Sequence, residues 1–239
     1  MGHLDIQSQR VGGFSEQDGT IDFYSRISCL IDENSIVLDL GAGRASWNED
    51  KCFYRRNLRL LKGKVAEVIA CDVDEAVLLN NTADKVLLMK NNHIPVLNES
   101  IDLVIADFVL EHVKETSEFA CEINRVLKPG GWFTARTPHK NNVVAIFARI
   151  IKNKFHKQFL KYIQPDRKEI DIFPTYYKVN TLRKISKLFP SYLNKSFIYR
   201  GEPSYYFGSK IIFSLLKFFY RFLSDILVGN LFIFIKKNV

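Results

Sequence analysis

The stretch Val37-Leu-Asp-Leu-Gly-Ala-Gly-Arg-Ala45 constrains this chain more than any other. An apolar, β-branched run opening at Ser35 leads into Asp39, and then into Gly41 and Gly43 at alternate positions. That order predicts a buried parallel strand entering a tight turn. Glycine at both points admits positive φ and lets a ligand approach where a Cβ would stand. Backbone N–H groups at such a turn are left pointing at the ligand.

A second segment sharpens the reading. Val68-Ile69-Ala70-Cys71-Asp72 is another apolar strand closing on a carboxylate, the place from which a Rossmann-like fold holds ribose hydroxyls. Two ligand classes use such a frame. A dinucleotide fingerprint requires Gly-x-Gly-x-x-Gly, so that a pyrophosphate meets a helix N-terminus, but here the third position is Ser46, followed by Trp47. Asp39, inside the strand and two residues before Gly41, suits a cationic ligand better than an anionic one. S-adenosylmethionine carries an ammonium and a sulfonium and no phosphate. These residues resemble motif I of the class I S-adenosylmethionine-dependent methyltransferases. An oxidoreductase remains the alternative on the dinucleotide side.

The resemblance continues along the chain. Lys85 to Met89 reads as strand three and Ile101 to Ala106 as strand four. The block after it, Asp107-Phe-Val-Leu-Glu-His-Val113, resembles the Leu-Glu-His-Val region of small-molecule, type-11-like methyltransferases. A helix from Glu115 to Leu127 and the stop Lys128-Pro-Gly-Gly131 lead into strand five, Trp132 to Arg136. The motifs run in the family's order from Ser35 to about Pro138. They imply an α/β, Rossmann-like seven-stranded sheet with helices on both faces and a helical insert between strands five and six. The implied single domain has a helical cap (1–34), a cofactor core (35–138), a helical lid (139–195) and carboxy-terminal strands with an amphipathic helix (196–239).

The resemblance also implies site residues. In the first turn they are Asp39, Gly41, Ala42 and Gly43, and after strand two Asp72 with Val73. After strand four they are Asp107 and Phe108. Where relatives carry an acid and a small residue after strand three, this chain has Lys90 and Asn91, so the adenine edge falls to Asn91 or Asn92. Ala45 stands where a third glycine is common, and alanine still permits close packing. His112 and His139, each just past a strand's carboxyl end, are the candidate bases, because imidazole titrates near neutrality. Glu111 and His112 are adjacent and do not face one site on a helix, so no metal is expected. His93 and His156 have no supporting neighbours in sequence.

Flanking segments add organisation. Thr20 is placed to cap a helix over Ile21 to Ile31, and Arg44 to Leu61 reads as a second helix with Arg55, Arg56 and Arg59 on a solvated side. Four separated cysteines, Cys29, Cys52, Cys71 and Cys121, read as small core residues of a reducing compartment. Met1 to Val11 shows no apolar run of a signal peptide, and the expected setting is the cytoplasm.

Charge divides the chain in two. The net charge of +8 comes from a first part, residues 1–139, with 15 Lys and Arg against 21 Asp and Glu, and a second, 140–239, with 19 against 5, or +14. Such a basic half points to an anionic partner: nucleic acid, a membrane surface or a phosphorylated substrate. The half includes a basic helical stretch from Asn142 to Ile163 and a helix expected near Asn180 to Phe189. Strands six (Ser196 to Tyr199) and seven (Leu231 to Ile235) follow.

Ser209 to Val228 is apolar apart from a narrow stripe of Ser214, Lys217, Arg221, Ser224 and Asp225. It has no uncharged run of the ~18 residues a spanning helix needs, so it is core, a dimer interface or an interfacial membrane helix.

The expected reaction is methyl transfer from S-adenosylmethionine to a hydroxyl of a small molecule or saccharide, a lipid-linked precursor included. That acceptor class rests on the resemblance of Asp171-Ile-Phe-Pro-Thr-Tyr-Tyr-Lys-Val-Asn-Thr181 to a stretch of methyltransferases associated with cell-surface polysaccharide synthesis. Peripheral contact with the inner membrane face would go with it. An RNA or protein methyltransferase is a rival, but no Asn-Pro-Pro-Tyr-type motif follows strand four. A second rival is a membrane-surface protein that binds the cofactor without turnover.

Overall fold

The computed structural model describes residues 10–143, 145–146, 173–203 and 209–239. Five apolar runs form parallel strands: β1 (Ile36–Leu40), β2 (Glu67–Asp72), β3 (Lys85–Leu88), β4 (Ile101–Asp107) and β5 (Leu127–Pro138). Three more follow: β6 (Leu193–Asn194), β7 (Phe197–Tyr199) and β8 (Asn230–Lys236). The order across the sheet is β3-β2-β1-β4-β5-β8-β6, and β7 also pairs with β8. β8 runs antiparallel to β5, β6 and β7. β7 is the expected sixth strand without its first residue, and β6 is a further two-residue strand before it, separated from β7 by Lys195 and Ser196. There the Ser196 hydroxyl, not a backbone carbonyl, accepts the Phe234 N–H at 3.1 Å. The eight strands are thus the expected seven and the short β6.

β5 begins earlier than expected because Lys128–Gly131 bulges within it: Leu127 pairs with Ile101, and the next match is Trp132 with Leu103. A Cβ on Gly131 would sit 2.9 Å from the Lys128 carbonyl oxygen, which is why this bulge needs glycine.

Helices cover both faces: α1 (Gly19–Ser28), α2 (Phe53–Arg59), α3 (Thr116–Val126), α4 (Leu182–Leu188), α5 (Lys210–Tyr220) and α6 (Asp225–Val228). Alternation along β1 sends Leu38 and Leu40 into a layer with Ile123 of α3 and Ile185 of α4. Val37 goes to the opposite layer with Phe23 and Ile27 of α1. Asp39 has the parity of Val37, so β1 aims it under α1. Phe23 is fully buried and meets Phe232 edge-on at 5.3 Å between centroids; truncating such a ring costs about 3–5 kcal/mol.

Several local expectations are corrected. Asp18, not Thr20, caps α1, its Oδ1 accepting from the Thr20 and Ile21 N–H groups at 2.9 and 3.1 Å. The segment expected as one helix from Arg44 is instead a short 3-10 turn, Ser46–Glu49, and then α2. The arginines of α2 are not solvated: Arg55 binds Asp50 at 2.6 and 2.7 Å and Asp18 at 2.9 Å. Only Cys52 and Cys71 are buried, whereas Cys29 and Cys121 are exposed. His93 does have a neighbour, Glu122, at 3.2 Å. Most of the helix expected at Asn142 to Ile163, including His156, lies outside the described residues.

Candidate active site

The loop after β1 is bonded to the end of β2. The Gly41 N–H donates to the Cys71 carbonyl at 2.7 Å, and the Gly43 N–H donates to Asp72 Oδ2 at 2.8 Å. Asp74 N–H donates to the other Asp72 oxygen at 3.0 Å, and Asn80 Nδ2 to the Gly43 carbonyl at 3.1 Å. The two glycines serve different ends. At Gly41, φ is +73° and a Cβ would lie 2.4 Å from Val109 Cγ2, so glycine lets the segment after β4 pack down on the loop. At Gly43, φ is +48° and the nearest atom to an added Cβ is Asp72 Oδ2 at 4.0 Å, so the space beside this residue is open. Ala45 takes the left-handed conformation too, at φ 57°, which costs a non-glycine residue roughly 1–2 kcal/mol.

Asp39 is the unusual group of this site. No donor among the described residues reaches its carboxylate. Burial raises its pKa to about 7; Arg59 opposes the shift, and the negative charges of Asp107 and Asp72 add to it. A recess beside it is lined by Tyr24, Trp47, Arg59, Thr82 and Ile105. The Arg59 guanidinium lies over both aromatic rings there, 5.1 Å from Tyr24 and 5.2 Å from Trp47.

Asp107 ends β4 inside a cationic clasp. Arg136 of β5 donates from Nε to Oδ1 at 2.7 Å and from Nη2 to Oδ2 at 2.8 Å, while Arg59 and the Tyr24 hydroxyl each reach Oδ2 at 3.2 Å. Burial alone would raise the Asp107 pKa, but Arg136 and Arg59 hold it below the ordinary carboxylate range. Arg136 continues to the Thr20 hydroxyl at 2.9 Å, and its guanidinium covers the Phe108 ring at 4.7 Å. Phe108 itself is left-handed, at φ 58°.

Of the expected residues, Asp39, Gly41, Ala42, Gly43 and Asp72 are brought together by the β1 and β2 ends, with Val73 exposed beside them. Asp107 is taken up by its arginines. Asn91 and Asn92 follow β3 with φ of 50° and 56°, and the Asn92 amide donates to Glu118 of α3 at 2.9 Å. The histidines differ. His139 is buried, its Nδ1 accepts the Asn141 N–H at 3.1 Å, and the ring also bonds the Ile226 backbone. Burial and the neighbouring Lys140 lower its pKa, so it stays neutral. His112 places Nδ1 2.6 Å from the Pro174 carbonyl and its ring edge-on to Phe173. Tyr24, Arg59 and Arg136 were not singled out as site residues by sequence reasoning, because their pairing with Asp107 needs the fold.

Part of the chain is similar in sequence to known methyltransferases, and its fold is similar to theirs. Residues 52–135 match the family Methyltransf_11, described as a methyltransferase domain. A probable S-adenosylmethionine-dependent methyltransferase of Mycolicibacterium smegmatis is 33% identical over 85 residues, 34% of this chain. The chain spans about a third of that relative's length, 33%. A putative sarcosine dimethylglycine methyltransferase from Galdieria sulphuraria superposes with a TM-score of 0.58 at 14% identity, covering 92% of this chain and 85% of the other. A SAM-dependent methyltransferase from Methanosarcina mazei gives 0.54 at 16% identity, covering 90% and 97%. The fold is therefore that of the class I methyltransferases. Within it, the chain carries a methyltransferase-domain sequence.

Proposed function

We propose that this chain is an S-adenosylmethionine-dependent methyltransferase acting on a hydroxyl of a small molecule, a saccharide or a lipid-linked saccharide precursor, working at the cytoplasmic side. The observation that supports it best is the carboxylate of Asp39, desolvated and without a donor, beside the open face of Gly43 and the Asp72 carboxylate. Such a site fits a ligand with a cationic end and a ribose. Asp72 spends one lone pair on each of two N–H groups, and a carboxylate has about four acceptor sites, so it retains capacity for ribose hydroxyls. Asp39 would face the ammonium end, and Val73 with Asn91 or Asn92 the adenine.

When bound, S-adenosylmethionine supplies a methyl group already activated by its sulfonium. The protein's part is orientation, which alone lowers such a barrier by ~7–11 kcal/mol. Accepting the hydroxyl proton adds ~10²–10⁴-fold. His112 is the proposed base: the Pro174 carbonyl fixes Nδ1 as the protonated nitrogen of the neutral ring, which makes Nε2 the basic one. His139, the other candidate, is proposed to hold the β5 end against α6 through its two backbone bonds.

Parallel titrations with S-adenosylmethionine and NAD, followed by transfer of a labelled methyl group to a panel of sugars, lipid-linked sugars, RNA and protein, test the reading. Binding of the first alone and labelling of a hydroxyl acceptor is the expected result. NAD binding would point to an oxidoreductase, and labelled RNA or protein to another acceptor class.

A further inference from the structure

Helix α5 leaves much of its apolar surface exposed. Of its polar side chains Lys217 turns inward, its Nζ 3.1 Å from Glu202 and 3.6 Å from Glu16, and the Glu202 side chain is only 4% exposed, whereas Ser214 is exposed. Arg10 shares that carboxylate at 3.1 Å. Further on, Arg200 pairs with Asp225 at 3.0 Å and bonds the Leu223 carbonyl. Of the apolar side chains of α5, Phe213 alone is buried. Most of the others look outward, with Ile211 74%, Leu215 53%, Phe218 53% and Phe219 58% exposed, and Phe222, just past the helix, is 73% exposed. An amphipathic pattern normally places its apolar face against the core; here Phe213 and the Lys217 ion pairs hold the helix, and Phe218, Phe219 and Phe222 are left on the surface. A contiguous apolar patch of this kind marks an interaction surface.

Charge selects the occupant. Lys210 and Arg221 flank the patch, are exposed, and have no acidic partner among the described residues. They belong to the half of the chain that carries +14. Two such halves facing each other in a symmetric dimer would repel, whereas a sheet of lipid phosphates attracts them. No described helix is long and apolar enough to cross a membrane, so contact lies in the interface plane.

We propose that α5 and the turn through Phe222 dock this protein on an anionic bilayer, the phenylalanines entering the headgroup–acyl boundary and Lys210 and Arg221 pairing with phosphates. This does not rest on the methyl-transfer reading; it would make that site's acceptor one that is presented at a membrane.

Co-sedimentation of the full chain with vesicles of phosphatidylcholine, and of phosphatidylcholine mixed with phosphatidylglycerol, tests it. The expected result is binding to the mixed vesicles only, weakening as salt is raised because the Debye length shrinks from about 10 Å at 0.1 M to about 3 Å at 1 M. Phe218→Glu with Phe222→Glu abolishes binding while circular dichroism and S-adenosylmethionine affinity stay unchanged. Lys210→Glu with Arg221→Glu weakens it roughly tenfold or more. A wild-type protein that ignores both vesicle types overturns the proposal. So does a phenylalanine double variant that unfolds, since the rings would then be core, or a concentration-dependent dimer that this variant abolishes without any vesicle binding.

Discussion

Arg136 grips Asp107 with two parallel hydrogen bonds, 2.7 and 2.8 Å, across the ends of β5 and β4, and each side chain is 6% exposed. This pair, with Arg59 and Tyr24 on the same carboxylate, joins the roof formed by α1 and α2 to the sheet at the edge of the proposed cofactor site. Removing one member strands a buried charge. Arg136→Met should therefore lower unfolding stability by about 3–5 kcal/mol, read from urea titrations at neutral pH. The folded pKa of Asp107 is depressed, so its contribution is present above the unfolded carboxylate value and is lost as pH falls through the folded one. Wild-type stability should fall on acidification below about pH 4, and less steeply in Asp107→Asn.

Asp39 has the opposite sign. Its folded pKa is raised to about 7, so between the unfolded carboxylate value and 7 the folded state binds more protons and stability declines as pH rises. Asp39→Asn should flatten that slope in the ligand-free protein. A cationic ligand end favours the charged carboxylate, so S-adenosylmethionine affinity should increase with pH up to about 7 and then level off. Calorimetry in buffers of different ionisation enthalpy would show proton release below that pH in the wild type and none in Asp39→Asn.

The two histidines are separable by experiment. His112→Gln should lower kcat by ~10²–10⁴-fold with little change in S-adenosylmethionine affinity, and remove an imidazole limb from the pH–rate profile. His139→Ala should act through stability, since its ring bonds backbone groups; two lost hydrogen bonds cost roughly 1–3 kcal/mol. An unchanged kcat and profile in His112→Gln would leave the acceptor activated by position alone.

The parallel strands were legible because strands covered on both faces read as continuous apolar runs: Ile36 to Leu40, Val68 to Cys71 and Ile101 to Ala106 all lie where expected. The Gly41 and Gly43 turn was legible for the same local reason, as backbone strain is written in residue type. Charged partners were not. Arg55 and Arg59 look like solvated charges in sequence, Arg136 like the last residue of a strand and Asp107 like a ligand, until β4 and β5 are paired and α2 is laid over them. Thr20 and Asp18 both suit a cap; that Arg136 bonds the Thr20 hydroxyl distinguishes them only in three dimensions. Periodicity showed that Ser209 to Val228 has two faces. It could not show that Glu202 would draw Lys217 inward while Phe218, Phe219 and Phe222 stay exposed.

Whether the β1 and β2 ends hold S-adenosylmethionine is read from its affinity for wild type and for Asp72→Ala, measured by calorimetry at pH 8. Saturable binding to the wild type is expected. In Asp72→Ala that binding should weaken by roughly 1.5–3 kcal/mol, the cost of a lost charged hydrogen-bond partner, with the fold intact by circular dichroism. A wild type that does not bind S-adenosylmethionine, or an Asp72→Ala variant that binds it as tightly, would contradict binding there.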